Sequence, residues 1–161
     1  MVDGRDEQVS PARVDVVEGY EFLGDTFERT VDDKGRIVLP AGPQRDAYEG
    51  RAWITLYRGC LALWTRRSYG AYLRLVEDQE EAEMLPPRSL EAIRRSTAMV
   101  TIDGQGRFGL PVAMREARGI GGHGAKVVVE GQGDRLEIRA VDRPDEAMPD
   151  PELVVGMTKH R

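Results

Sequence analysis

Short alternating runs of apolar and polar residues dominate this chain, and they predict strands. Phe27, Arg29 and Val31 alternate with Glu28 and Thr30. Ile37-Val38-Leu39, Trp53 to Tyr57 and Leu61 to Trp64 follow as further strands. One stretch changes period. Tyr69, Tyr72, Leu73 and Val76 fall at i, i+3, i+4 and i+7, which predicts a helix from about Ser68 to Glu81 with one apolar stripe. Those aromatics read as core or interface packing rather than a ligand box. After the break at Met84-Leu85-Pro86-Pro87-Arg88, Ser89 is placed to cap a shorter helix to about Ser96. Strand patterns resume at Met99 to Ile102 and Phe108 to Leu110, and a short helix is predicted over Pro111 to Arg118. Lys126 to Glu130 and Leu136 to Ala140 supply closing strands, with Gly131-Gln132-Gly133-Asp134 as the joining loop. Residues 41–49 predict one more short helix, weakened by Gly42 and Pro43.

Two peptides 71 positions apart carry the same spaced residues. Asp32-Asp33-Lys34-Gly35-Arg36-Ile37-Val38-Leu39-Pro40 and Asp103-Gly104-Gln105-Gly106-Arg107-Phe108-Gly109-Leu110-Pro111 share Asp, Gly, Arg, Leu and Pro at matching places. Spaced identity of this kind predicts one small unit built twice. Each motif opens on a turn that follows a strand, where the Asp side chain accepts backbone N–H bonds and glycine takes positive φ at little cost. The chain thereby divides into a flexible arm (1–19), a first repeat (20–75), a helical linker (76–98), a second repeat (99–141) and a flexible tail (142–161). Units this small seldom bury enough apolar surface alone, so each copy is expected to pack on the other, on another subunit, or on both.

Composition and charge narrow the function. Hydrophobic residues are 40% and charged residues 32%, an ordinary soluble composition. No stretch approaches the roughly 20 apolar residues of a membrane span, so no membrane partner is expected. The net charge of -5 argues against a wholly basic surface but leaves room for a local basic face. Acids gather at Glu77, Asp78, Glu80, Glu81 and Glu83, and again from Asp142 to Glu152, whereas Arg29, Arg36, Arg45, Arg107, Arg115 and Arg118 lie near the repeated turns. Met1 to Ser10 is polar and acidic, unlike a secretion signal, and a cytoplasmic setting is expected. Cys60, the single cysteine, sits among apolar residues and reads as a packed thiol. His123 and His160 have no zinc spacing. The glycines from Gly119 to Gly124 follow a predicted helix instead of leading a strand into one, so they read as a helix stop rather than a phosphate loop. With no nucleophile–base set and no paired carboxylates, neither an enzyme nor a cofactor is predicted.

The two motifs together resemble those of the MraZ family, whose members are double copies of a swapped-hairpin unit related to the AbrB and SpoVT DNA-binding domains. The likeness spans about residues 20–140. Phe22-Leu23-Gly24 resembles the family's opening, Asp32 to Arg36 its first signature, and Asp103 to Arg107 its second, with glutamine at the lysine position. Gly59-Cys60-Leu61 to Trp64 and Leu136-Glu137-Ile138 resemble the terminal hairpin strands of the two copies. The resemblance implies a mainly β fold with short helices, built as two tandem swapped-hairpin, β-barrel-like units. It implies a sequence-specific DNA-binding regulator of transcription, commonly a repressor at short tandem promoter repeats of cell-division and cell-wall genes. It further implies a ring-like homo-oligomer associated with the nucleoid. By motif position it assigns DNA contact to Arg36 and Arg107, assisted by Lys34 and Gln105. Asp32, Asp103, Gly35 and Gly106 take the role of orienting the loops.

Side-chain chemistry agrees with that assignment. The planar donor fork of arginine bridges guanine O6 and N7, or a phosphate. Lysine suits a phosphate, and glutamine pairs with adenine or donates to the DNA backbone. The aspartates, negative like DNA, suit the holding of loop amides and of the neighbouring arginine. A second reading stays open, in which Arg36 and Arg107 merely bridge the acid four positions earlier and steady a hairpin. Two other functions also stay open. One is a structural or protein-interaction module that recruits partners through its acidic tail and aromatic helix. The other is an AbrB-like antitoxin that neutralises a toxin with the segment from Asp142.

Overall fold

The structure, a computed structural model, describes residues 22–141. The arm expected over 1–19 and the tail expected over 142–161 lie outside the described residues, with the acids from Asp142 onward and His160. Among the described residues, eight strands and four helices follow in order: β1 (Phe22–Thr30), β2 (Arg36–Val38), α1 (Pro43–Ala47), β3 (Arg51–Tyr57), β4 (Cys60–Trp64), α2 (Arg66–Glu81), α3 (Ser89–Ser96), β5 (Ala98–Thr101), β6 (Arg107–Gly109), α4 (Val112–Ala117), β7 (Lys126–Gly133) and β8 (Arg135–Ala140). The loop expected at Gly131 to Asp134 is mostly strand. β7 runs through Gly131 because β1 passes close beside it: a Cβ there would lie 2.2 Å from the Phe22 carbonyl oxygen, so only glycine admits the approach.

The strands form a six-stranded sheet, ordered β1-β7-β8-β4-β3-β5, and a two-stranded ribbon, β2-β6. All pairs in both are antiparallel. The six-strand order reads the same from both ends once the repeats are exchanged. β1 of the first repeat pairs with β7 of the second, and β5 of the second pairs with β3 of the first. The hairpins β3-β4 and β7-β8 meet at the centre, where Ala62 lies opposite Glu137. Ile37 opposite Phe108 marks the matching centre of the ribbon. The expected barrel-like closure needs correction. β1 and β5 stand at opposite ends of the sheet, each paired on one side only, so the described residues form an open sheet and no closed barrel.

Alternation along each strand decides what covers its two faces. Ala52, Ile54, Leu61, Leu63, Leu136 and Ile138 point into one core together with Ile37 and Phe108 of the ribbon, so ribbon and sheet are two layers around a shared interior. On the opposite face, the Trp64 indole stacks on Tyr72 of α2 at 4.5 Å and Trp53 stacks on Tyr69 at 6.0 Å. The aromatic stripe of α2 is therefore packing, as its spacing predicted. β4 is buried along its whole length because both faces are covered. The Trp64 indole N–H donates to Thr55 Oγ1 at 2.8 Å inside this second layer. A capping box starts α2: the Ser68 amide donates to Thr65 Oγ1, and the Thr65 amide donates to Ser68 Oγ, each at 3.0 Å. The helical pair is closed by the Glu80 carboxylate, which accepts the Leu90 and Arg88 amides at 2.9 Å. Those amides, Leu90 first, hold its pKa below the ordinary glutamate value. Burial pushes the Cys60 thiol up, consistent with an inert packed group.

Candidate nucleic-acid interface

Each repeated motif folds into the same hydrogen-bonded turn. In the first, the Gly35 amide donates to the Asp32 carbonyl at 3.0 Å and the Asp32 amide donates to the Arg36 carbonyl at 2.9 Å. Asp32 Oδ1 accepts the Lys34 and Arg36 amides, both at 2.8 Å, and Oδ2 accepts Arg36 Nε at 2.8 Å. The second turn matches it bond for bond. Asp103 Oδ1 accepts the Gln105 amide at 2.8 Å and the Arg107 amide at 2.9 Å, while Oδ2 accepts Arg107 Nε at 2.8 Å. These bonds stabilise the ionised carboxylates, and both aspartates are held down at about 2, chiefly by the backbone amide of the following arginine. The aspartates thus orient the turn and the arginine together. Bridging of acid and arginine, left open by the sequence, occurs in both turns.

That bridge uses only Nε. The terminal nitrogens of Arg36 and Arg107 take no hydrogen-bond partner among the described residues, and their side chains are 28% and 37% exposed. Lys34 and Gln105 are exposed at the turn tips. Ribbon register settles the direction. Arg36 lies opposite Gly109 and Val38 opposite Arg107. Side chains two apart on a strand share a face, so Arg36, Val38, Arg107 and Gly109 project from one side of the ribbon. Ile37 and Phe108 project from the other and are buried. The two arginines are diagonal neighbours, a spacing of about 7–8 Å between such positions.

The two halves also share backbone at this place. The Leu39 amide donates to the Gly106 carbonyl and the Leu110 amide to the Gly35 carbonyl, both at 2.9 Å. Gly35 and Gly106 have φ of +76° and +88° and are buried beneath the opposite half. Within each motif, cations and carboxylates balance. Further positive charge comes from Arg29, Arg45 and Arg115. Arg29 Nε donates to the Val38 carbonyl at 2.7 Å and its guanidinium lies 4.7 Å from the Phe27 ring centroid. Arg45 Nη2 donates to the Gly104 carbonyl, and Arg115 Nε donates to the Leu110 carbonyl at 3.0 Å. Sequence reasoning noted these three arginines as charges near the turns but did not pair Arg45 with Arg115. They are one step out of the repeat: the position 71 after Arg45 is Glu116.

Among the described residues, no group of three or more His, Cys, Asp or Glu is placed to hold a metal ion. No helix there is long and apolar enough to cross a membrane. No family model matches the chain. Individual relatives do. The chain is 32% identical over 123 residues to the transcriptional regulator MraZ of Arthrobacter sp. (strain FB24), an alignment covering 73% of this chain and 80% of the relative. It is 29% identical over 143 residues to that of Paenarthrobacter aurescens (strain TC1), covering 85% and 93%. The regulator of the same name from Kocuria rhizophila is 30% identical over 123 residues, covering 73% and 79%.

Proposed function

The chain belongs to the MraZ family of transcriptional regulators, and on that footing we propose that it binds double-stranded DNA carrying short repeated elements through the ribbon face of Arg36 and Arg107. The family is one of regulators rather than enzymes. The observation that carries this reading is the arrangement of the two guanidiniums: anchored through Nε, aimed from one face, and with their terminal donors unspent. A side chain fixed by its own carboxylate arrives at a base edge or phosphate with little orientational entropy left to lose. Lys34 supplies a mobile point charge to a phosphate, and Gln105 supplies a shorter polar contact at the matching place. The repeats 20–75 and 99–141 are the two reading units, with 76–98 as the connection between them. A ring-like homo-oligomer places several such faces along tandem elements, and multivalency then converts weak single contacts into useful affinity. Repression of cell-division and cell-wall genes, from a nucleoid-associated cytoplasmic pool, completes the proposal.

The test is selection of DNA fragments by the native protein and by an Arg36→Ala, Arg107→Ala variant. Each lost bidentate base contact costs about 1–3 kcal/mol of discrimination, so the double variant is expected to lose enrichment of any motif. Equal enrichment by both proteins would reject the assignment. Native binding should also weaken steeply with salt, the mark of phosphate neutralisation.

A further inference from the structure

We propose that Arg45 and Arg115 are positioning residues that each hold the turn of the opposite repeat, so that each reading arginine is set by the repeat to which it does not belong. Arg45 leaves α1 of the first repeat and reaches the second turn, where Nη2 donates to the Gly104 carbonyl. Its side chain lies directly over Gly106: a Cβ there would sit 3.0 Å from Arg45 Nη1 and 3.2 Å from Cδ. Arg115 leaves α4 of the second repeat and covers the first turn. Nε donates to the Leu110 carbonyl at 3.0 Å and Nη1 to the Gly121 carbonyl at 3.2 Å. This places Nη2 3.2 Å from where a Gly35 Cβ would stand. The Leu110 amide in turn donates to the Gly35 carbonyl at 2.9 Å. The bracing is reciprocal but unequal: Arg45 bonds the opposite turn directly, whereas Arg115 acts through Leu110 and by packing. Because Gly106 directly precedes Arg107 and Gly35 directly precedes Arg36, a shift at either glycine moves the aspartate–arginine pair that flanks it.

This inference rests on the DNA reading for its consequence but not for its structural content, and two measurements separate them. The first is amide hydrogen exchange without DNA. Arg45→Ala should speed exchange at Gly106 and Arg107 and leave Gly35 and Arg36 little changed, while protection in β7 and β8 shows the fold intact. Arg45→Lys should behave like Arg45→Ala, since a point charge cannot both cover the glycine and bond the carbonyl. The second is titration of DNA bearing short tandem repeats at several salt concentrations. Arg45→Ala is expected to weaken binding about tenfold, within the range of couplings between contacting residues. That factor should vanish in an Arg107→Ala background and persist in an Arg36→Ala background, with Arg115→Ala showing the smaller mirror pattern. The salt slope should stay the same, because a lost phosphate contact lowers it by about one. A slope reduced by one, a factor absorbed within the residue's own repeat, rescue by lysine, or unchanged exchange at Gly106 overturns the proposal. If the native chain fails to bind any repeat DNA, the DNA reading falls while the exchange data still decide the bracing.

Discussion

Alanine at the two turn glycines should separate backbone strain from side-chain crowding. Both glycines have positive φ, +76° at Gly35 and +88° at Gly106. An L-residue there costs about 1–2 kcal/mol, and the loss of unfolded-state freedom offsets roughly 0.4–1 kcal/mol of it. Those contributions are common to both substitutions and cancel in their difference. What differs is the neighbour. The new methyl at position 35 meets Arg115 Nη2 at 3.2 Å, the far end of a flexible side chain that can swing by a few tenths of an ångström. At position 106 it meets the Leu39 carbonyl oxygen at 2.3 Å. That oxygen cannot retreat freely, because the Leu39 amide is bonded to the Gly106 carbonyl at 2.9 Å and the Leu39 side chain is buried in the shared core. Forcing such a backbone shift costs about 1–3 kcal/mol, the scale of overpacking in a tight interior. Gly106→Ala should therefore be less stable than Gly35→Ala by about 1–3 kcal/mol. At about 2–4 °C per kcal/mol for a chain of this size, melting points should separate by roughly 2–12 °C. Urea unfolding of both variants at matched protein concentration measures the difference. Equal midpoints, or Gly35→Ala as the weaker variant, would refute the crossing of Leu39 over the second turn.

Two further outcomes follow from the same geometry. Asp32 and Asp103 sit at about 2 in the folded chain against an ordinary 3.8; with folded values depressed, their stabilisation is complete above about pH 4 and is lost as pH falls from there toward 2. The Asp32→Asn, Asp103→Asn variant should thus be less stable than the native chain at neutral pH, with the gap closing toward pH 2, and a gap independent of pH would count against ionised turn carboxylates. In the second layer, Thr55→Val keeps the shape but leaves the buried Trp64 indole N–H without its 2.8 Å acceptor; the loss should be about 1–3 kcal/mol, and a thermal melt within error of native would show that the indole finds another partner.

The parts of this molecule that could be read from the chain are those whose causes are local. Five consecutive positions, with an aspartate, a glycine and an arginine among them, contain every donor and acceptor of the bonds within the turn, including the Lys34 or Gln105 amide, so Asp32 to Arg36 and Asp103 to Arg107 are recognisable as turns from the sequence alone. The stripe of Tyr69, Tyr72, Leu73 and Val76 was equally local, and it does pack against the sheet. What escaped depends on partners far along the chain. Gly131 looked like loop because glycine usually breaks a strand; its reason for being there is Phe22, more than a hundred positions away. Barrel-like closure was expected, yet alternation along β1 and β5 says nothing about which neighbours those strands find, and they end as opposite edges of an open sheet. Arg45 and Arg115 could not be matched by repeat position, since Glu116 occupies the equivalent place, and only the crossing of the two halves makes them a pair. These misses share one cause with the geometry of the turns. Gly35 and Gly106 each give their carbonyl to the other repeat, and each turn lies beneath the other repeat's arginine. A single copy would expose that carbonyl and lose the cover over its glycine, so the motif legible in five residues acquires its fixed geometry only when the second copy is folded against it.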